Sequence, residues 1–246
     1  MTSPAASGAE PRTPLTRERI LRAGLDLADT HGLKALSMRR LGQALGVEAM
    51  SLYKHVSGKD DLIDALIDLV IAEIEVPTTA EGWKDAMRRR AVSAYQMLLR
   101  HRWVCPLMGS RVNIGPATMH YIDGTFAWLR RGGFTVEQTL DAWHALDGHI
   151  YGFTLQQLNL PFAPEDAVRM AAAGVELIPA DRYPHFHEAV TAILLSGGRV
   201  ERFEFGLDLI LDGLERLLSG PDDYLTDHAH KRSRLFLDSK ELAGEQ

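Results

Sequence analysis

Ser37-Met38-Arg39-Arg40-Leu41-Gly42-Gln43-Ala44-Leu45-Gly46-Val47-Glu48-Ala49-Met50-Ser51-Leu52-Tyr53-Lys54-His55-Val56 decides the fold. Ser37 is an N-cap residue, and Leu41, Ala44 and Leu45 are apolar at helical spacing. Gly46 then stops the helix, because only glycine takes a left-handed conformation without a steric cost. After one turn, Glu48 to Val56 reads as a second short helix anchored by Leu52 and Val56. Two short helices joined through a glycine make a helix-turn-helix.

Upstream, Ile20, Ala23, Leu27 and His31 recur on one side of a helix that starts near Thr16, and Gly32 ends it. Downstream, Ser57-Gly58 breaks the chain, and a longer helix runs from Lys59 through Leu62, Leu66, Leu69, Val70 and Ile74. Pro77 and the small polar residues to Gly82 form the clearest joint. Beyond it the pattern stays helical, with helices expected near 83–101, 116–131, 135–158, 165–175, 181–196 and 199–219. No strand alternation and no internal repeat interrupts them. The expected fold class is all-α. It comprises a flexible arm over 1–14, a helix-turn-helix domain over 15–60 and a connecting helix over 61–76. A larger helical domain over 83–219 and a charged tail over 220–246 complete it.

Composition narrows the function classes. Of 246 residues, 46% are hydrophobic and 24% charged, the balance of a folded globular chain. The longest stretch free of Asp, Glu, Lys and Arg, Gly148 to Pro164, holds His, Gln, Asn and Pro and cannot span a membrane. The first residues lack a signal peptide, and the single Cys105 excludes an internal disulfide or a multi-cysteine zinc site. These features lead us to expect a cytoplasmic protein. Net charge is −6, yet residues 1–60 carry nine Lys and Arg against six Asp and Glu, and the rest carries 18 against 27. A basic head on an acidic body fits a nucleic-acid reader.

In a helix-turn-helix the second helix enters the major groove and its first residues meet base edges. Those positions are Glu48, Ala49, Met50 and Ser51. Ala49 and Met50 suit a thymine methyl, Ser51 can hydrogen-bond a base or phosphate, and Arg39 can fork onto a guanine edge. Tyr53, Lys54 and His55 follow one turn later, where such a helix meets the backbone, and Lys59 opens the next helix beside its N-terminal amides. The plain alternative is that Arg39-Arg40 is only a solvated face and Tyr53 half-buried packing. The combination carries the case.

Thr16-Arg17-Glu18-Arg19-Ile20-Leu21, Leu36-Ser37-Met38-Arg39-Arg40-Leu41, Leu45-Gly46-Val47 and Leu52 to Leu62 resemble the DNA-binding domain of the TetR family of repressors. Gly132-Gly133-Phe134 and Phe205 to Glu215 further resemble the C-terminal domain of its tetracycline repressor subgroup. The resemblance implies a homodimeric, all-helical repressor released from double-stranded operator DNA by a small molecule. It implies base contacts at Arg39, Ala49, Met50 and Ser51, and phosphate contacts at Tyr53, Lys54, His55 and Lys59. The drug–magnesium site of that subgroup does not carry over. Leu107-Met108 precede Gly109-Ser110-Arg111 where the metal-binding His should stand, and Gln156 replaces an acidic partner. We therefore expect no metal and no cofactor, and an effector other than tetracycline.

Effector candidates are Tyr95, Trp103, Met108, Arg111, Phe126, His144, His149, Tyr151 and Gln156, which mix aromatic, sulfur and hydrogen-bonding groups. Each is also the kind of residue that fills a plain core. Phe203, Leu207, Ile210, Leu211, Leu214, Leu217 and Leu218 make a stripe too broad for one contact, with Gly206 and Gly213 beside it. Pairing of this helix and of 135–158 with their mates in a second copy is expected, which sets two recognition helices on a pseudo-palindrome. His185/His187 and His228/His230 lack further metal ligands, and Cys105 lacks an activating neighbour. With no catalytic motif in view, the rival reading is a helical small-molecule binding protein or enzyme without specific DNA binding.

Overall fold

The computed structural model describes residues 14–111, 114–161, 166–197 and 202–219. Among them lie ten α-helices and no strand: α1 (Arg17–His31), α2 (Met38–Leu45), α3 (Ala49–Leu52), α4 (Lys59–Ile71), α5 (Trp83–Arg100), α6 (Pro116–Arg131), α7 (Val136–Leu158), α8 (Ala167–Leu177), α9 (Pro184–Leu195) and α10 (Phe203–Ser219). Single 3-10 turns occupy Leu33–Ala35 and Cys105–Leu107. The all-α expectation holds. The expected arm, the charged tail and His228/His230 lie outside the described residues, save Pro14. No described helix is long and apolar enough to cross a membrane.

The chain divides into two compact units, one of residues up to Ile74 with Gln96–Ile122, the other of Glu75–Tyr95 with the chain from Asp123. In the first, α1 packs on α2 and α4, and α2 on α3. Ile20, Leu36, Leu41, Leu52, Leu62, Leu66 and Val70 are fully buried between them.

Local chemistry sets the helix ends. Thr16 Oγ1 accepts from Arg19 N at 3.2 Å and Ser37 Oγ from Arg40 N at 3.2 Å, so both helices begin with a side-chain cap. At the end of α2, Gly46 has φ 68° and donates to Gln43 O at 3.2 Å, while Val47 N donates to Gly42 O at 2.9 Å. This paired closure satisfies carbonyls that the helix leaves open and turns the chain sharply into α3.

Three readings of this region need correction. The buried face of α1 is Ile20, Gly24 and Ala28, while Ala23 and Leu27 are half-buried and His31 is exposed. Gly24 faces Leu62 and Leu66 of α4, whose methyls lie 3.5 Å from its Cβ position. Ala44 is exposed, and Gly42 takes the inward place beside Leu41. The recognition helix is also shorter than Glu48–Val56. It ends at Leu52, and His55 N and Val56 N both donate to Leu52 O in a closing turn.

In the second unit α7 packs on α10, and α8 on α9. Helix α7 opens with a reciprocal cap: Thr135 Oγ1 accepts from Gln138 N at 3.1 Å and Gln138 Oε1 from Thr135 N at 2.8 Å. Tyr95 of α5 stacks on Phe203 of α10 at 4.3 Å between ring centroids, with Phe153 of α7 edge-on to both. Lys84 binds Asp212 at 2.8 Å and Glu215 at 2.6 Å. The start of α9 moves from the expected 181 to Pro184, where proline's fixed φ suits the first turn.

Candidate functional site

The helix-turn-helix presents an exposed reading surface. Arg39, Glu48, Lys54 and Lys59 are exposed, and Ala49, Ser51 and His55 are half-buried. Met50 is 75% exposed and Tyr53 47%. Met50 stands clear of the core, while Tyr53 keeps about half of its surface exposed, compatible with both a backbone contact and half-buried packing. Leu52, between them in sequence, is the residue that anchors the helix inward, with none of its surface exposed.

Since α3 has only one turn, its direction depends on what holds its ends. At its start, Gly42 lies so close that a Cβ there would stand 2.8 Å from Val47 O and 3.2 Å from Ala49 N. At its end, Arg17 Nη1 donates to His55 O at 2.7 Å and Arg17 Nη2 to Asp61 Oδ1 at 3.4 Å. Asp61 Oδ2 accepts from Ser57 N at 2.7 Å and from Ser57 Oγ at 3.1 Å. The chain leaving α3 is thus tied to both α1 and α4.

The Ser57 amide, with Arg17 behind it, holds the Asp61 carboxyl below its ordinary value of 3.8. A carboxyl depressed in the folded state stabilises it fully above the unfolded value and loses that contribution as pH falls through the folded one. Asp61→Asn should therefore melt below wild type near neutral pH, and the gap should narrow below 3.8. A gap that stays constant into acid would show that the Asp61 charge contributes nothing.

Helix α4 carries Asp60, Asp64 and Asp68 four residues apart, on one face. Arg111 Nε donates to Asp64 at 2.8 Å and its Nη2 to Asp60 at 3.3 Å. Asp68 accepts from Thr118 N at 2.8 Å, Thr118 Oγ1 at 2.9 Å and Ala117 N at 3.2 Å, capping the start of α6. Gly115 leaves room for this cap, because a Cβ there would collide with the carboxylate. Asp64 first, then Asp60, holds the Arg111 guanidinium charged even more firmly than usual.

The effector candidates divide between the units. Trp103, Met108 and Arg111 belong to the first. There Trp103 Nε1 donates to Asp29 of α1 at 2.7 Å, and His101 Nδ1 lies 2.9 Å from the same oxygen. Trp103 thereby ties the segment after α5 to the end of α1. In the second unit are Tyr95, Phe126, His144, His149, Tyr151 and Gln156. Tyr95 OH donates to Gln157 at 2.6 Å, and His149 Nε2 lies 2.9 Å from Phe203 O with its ring stacked on Phe203. Tyr151 OH donates to Asp147 at 3.1 Å, Phe126 meets Trp143, and His144 and Gln156 are exposed.

Sequence reading passed over Arg90, Asp147 and Trp143. Arg90 is 1% exposed and pairs with Asp147, itself buried on α7. Trp143 stands one turn before Asp147, and its indole N–H is buried with no hydrogen-bond partner among the described residues. One signal was available: Asp147 is a lone acid among the buried Ala142, Leu146 and Ile150. His185 is exposed and His187 Nδ1 lies 2.8 Å from Ile178 O. Among the described residues no cluster of three or more His, Cys, Asp or Glu could hold a metal ion. Burial pushes the Cys105 thiol up, away from the reactive thiolate.

Comparison with known proteins matches both parts of the chain. The profile of bacterial regulatory proteins of the tetR family matches residues 20–66, and that of the tetracyclin repressor-like C-terminal domain matches 76–218. The HTH-type transcriptional repressor DrrR1 of Streptomyces coeruleorubidus is 32% identical over 225 residues, covering 85% of this chain and 80% of that protein. The class D tetracycline repressor protein of Escherichia coli is 29% identical over 208 residues, covering 82% and 89%. Among solved structures, ActR of Streptomyces coelicolor in complex with actinorhodin superposes with a TM-score of 0.72 at 31% identity, over 85% of this chain and all of that one.

Proposed function

Because the chain belongs to the TetR family of bacterial regulatory proteins, we propose that it acts in the cytoplasm as a homodimeric repressor. It binds a pseudo-palindromic operator through Arg39 and the start of α3, and a small molecule releases it. The observation that carries this reading is the exposed Met50 and Tyr53 on a one-turn helix fixed at both ends. The protein has no enzymatic role, and no cofactor serves it.

A second copy supplies the recognition helix for the other half-site. Helices α7 and α10 leave Val136, Leu140, Leu155, Phe205 and Leu209 exposed, and a Cβ at Gly148 or Gly152 would meet nothing. Such a face lets a symmetric mate approach closely. Sedimentation should find a dimer at micromolar concentration.

The effector acts through α4. Helix α6 begins on Asp68, so a ligand that shifts α6 draws on α4, whose Asp61 holds Ser57 in the segment that leaves the recognition helix. Coupling of roughly 1–3 kcal/mol is typical of such devices, and operator DNA weakens ligand binding by the same factor. The ActR–actinorhodin complex supports a small-molecule effector. The Arg111 position, committed to Asp60 and Asp64, serves this linkage.

The test is selection of bound fragments from randomised DNA, at fixed salt, with wild type and Tyr53→Ala in parallel. An inverted repeat recovered by wild type and lost by the variant supports the repressor. Ligand binding with no selected motif would favour the helical binding protein without specific DNA affinity. On the selected fragment, Lys59→Ala should weaken all sequences alike and flatten the salt dependence by about one unit. An unchanged slope would remove Lys59 from the phosphate contacts.

A further inference from the structure

His101, directly after α5, is buried, and each of its ring nitrogens meets a carboxylate. Nδ1 lies 2.9 Å from Asp29 Oδ1 in the last turn of α1, and Nε2 lies 3.1 Å from Glu73 Oε1, just beyond α4. Trp103 Nε1 donates to the same Asp29 oxygen at 2.7 Å, and Arg100 Nη2 donates to the other Glu73 oxygen at 2.8 Å. Asp29 from α1, Glu73 from beyond α4 and Arg100 from α5 are the charged groups that meet the ring or its partners. A neutral imidazole has one N–H and one lone pair, so it serves one carboxylate and repels the other. Only the imidazolium donates to both. Arg100 balances one of the two negative charges, and the ring proton balances the second. Burial pushes the Glu73 carboxyl up, yet the Arg100 hydrogen bond and then the His101 charge hold it below its ordinary value of 4.5. The ring, not Glu73, is left to carry the proton.

We propose that His101 is a positioning residue of the DNA reader and that its proton controls that reader. The imidazolium holds the ends of α1 and α4 together in the operator-binding form, and loss of one proton releases one of them. The inference rests on the repressor reading and names a regulator of the same site. The two helices are tied at both ends. At their starts, Arg17 joins His55 O, where the chain leaves α3, to Asp61. At their far ends His101 is the link, and between the two ties Leu62 and Leu66 of α4 lie against Gly24 of α1. Loosening the far end lets the helices turn about that contact, which moves Arg17 and the exit of α3 with it. Histidine is the side chain whose charge changes near neutral pH, so a modest rise in pH works the clamp. Because the operator-binding form keeps the proton and the released form gives it up, operator affinity falls as pH rises.

Glu73→Gln separates this control from a purely structural role. The new carbonyl accepts from Arg100 while the amide donates to Nε2 of a neutral ring, whose Nδ1–H still serves Asp29. The clamp then closes without the extra proton. Fluorescence anisotropy of the full-length protein on the selected fragment, at fixed salt, is read at pH about 6 and about 8. Between them wild type should lose about tenfold more affinity than Glu73→Gln. Any slope from His55 at the DNA face is common to both proteins, and the comparison removes it. His101→Gln should bind at both pH values as weakly as wild type does at the higher one. Ring-nitrogen NMR, with His101 assigned by its loss in His101→Gln, should find both nitrogens protonated in wild type at the lower pH and one in Glu73→Gln. Equal slopes for wild type and Glu73→Gln, or a singly protonated wild-type ring, overturn the assignment. Equal slopes on a recovered operator sink only the clamp. A doubly protonated ring in a protein that selects no operator sinks the repressor reading, and the control of DNA binding with it.

Discussion

Gly42→Ala is expected to lower operator affinity at least about a hundredfold while the second unit keeps its fold. The added Cβ would stand 2.8 Å from Val47 O, 3.2 Å from Ala49 N and 3.3 Å from Ala49 Cα. All three are backbone atoms, so no rotamer change relieves the collision. The turn must open, at the cost of about 1–3 kcal/mol that overpacking commonly takes. Opening it moves the first residue of α3, where the proposed base contacts begin. Each lost base contact costs about 1–3 kcal/mol, and the proposed dimer would lose it at both half-sites. Gly46→Ala is the control. Its φ of 68° strains any side chain, yet a Cβ there meets nothing within 4 Å. It should cost stability, about 1–2 kcal/mol, with a much smaller loss of affinity. Fluorescence anisotropy on the selected fragment, paired with thermal melting, reads both effects. Gly42→Ala binding within threefold of wild type would mean that the turn does not set the recognition helix.

What was legible in the sequence is what neighbours in sequence decide. Ser37 caps α2 and Gly46 closes it because the partners, Arg40 N, Gln43 O and Gly42 O, lie within a few residues. The two-helix reading follows from that chemistry alone. The end of α3 was not legible. Arg17 takes the His55 carbonyl from 38 residues away, and Asp61 takes the Ser57 amide from the next helix. The inward face of α1 escaped for a similar reason. Which side of α1 faces α4 is set by Leu62 and Leu66, which lie against Gly24 from 38 and 42 residues away.

The interior of the second unit was harder still. Arg88-Arg89-Arg90 stand in a row on α5. Consecutive helix residues point about 100° apart, so three in a row cannot all face solvent when the helix is buried over a wide arc. Arg88 pairs with Asp208 and Arg89 with Glu75 near the surface, and Arg90 turns inward to Asp147, 57 residues on. Aromatic spacing marked Phe126 and Tyr151 as candidates but could not tell which hydrogen-bonding groups were already satisfied. That distinction separates Tyr95, bonded to Gln157, from Trp143.

Arg90→Ala should be the most destabilising substitution in the second unit. It leaves the Asp147 carboxylate buried opposite a void, and breaking one side of a buried pair costs about 3–5 kcal/mol. For a chain of this size that lowers the melting temperature by roughly 6–20 °C. Arg90→Met combined with Asp147→Leu removes both charges and refills the volume. Such exchanges are often neutral or stabilising by about 1–4 kcal/mol, so the double variant should melt at or above wild type. The single variant therefore measures the cost of an orphaned charge, and the double variant measures the worth of the pair. The stable double variant should still bind operator DNA, because both residues lie in the second unit, away from the helix-turn-helix. A double variant as unstable as Arg90→Ala would show that the charged pair itself holds the fold.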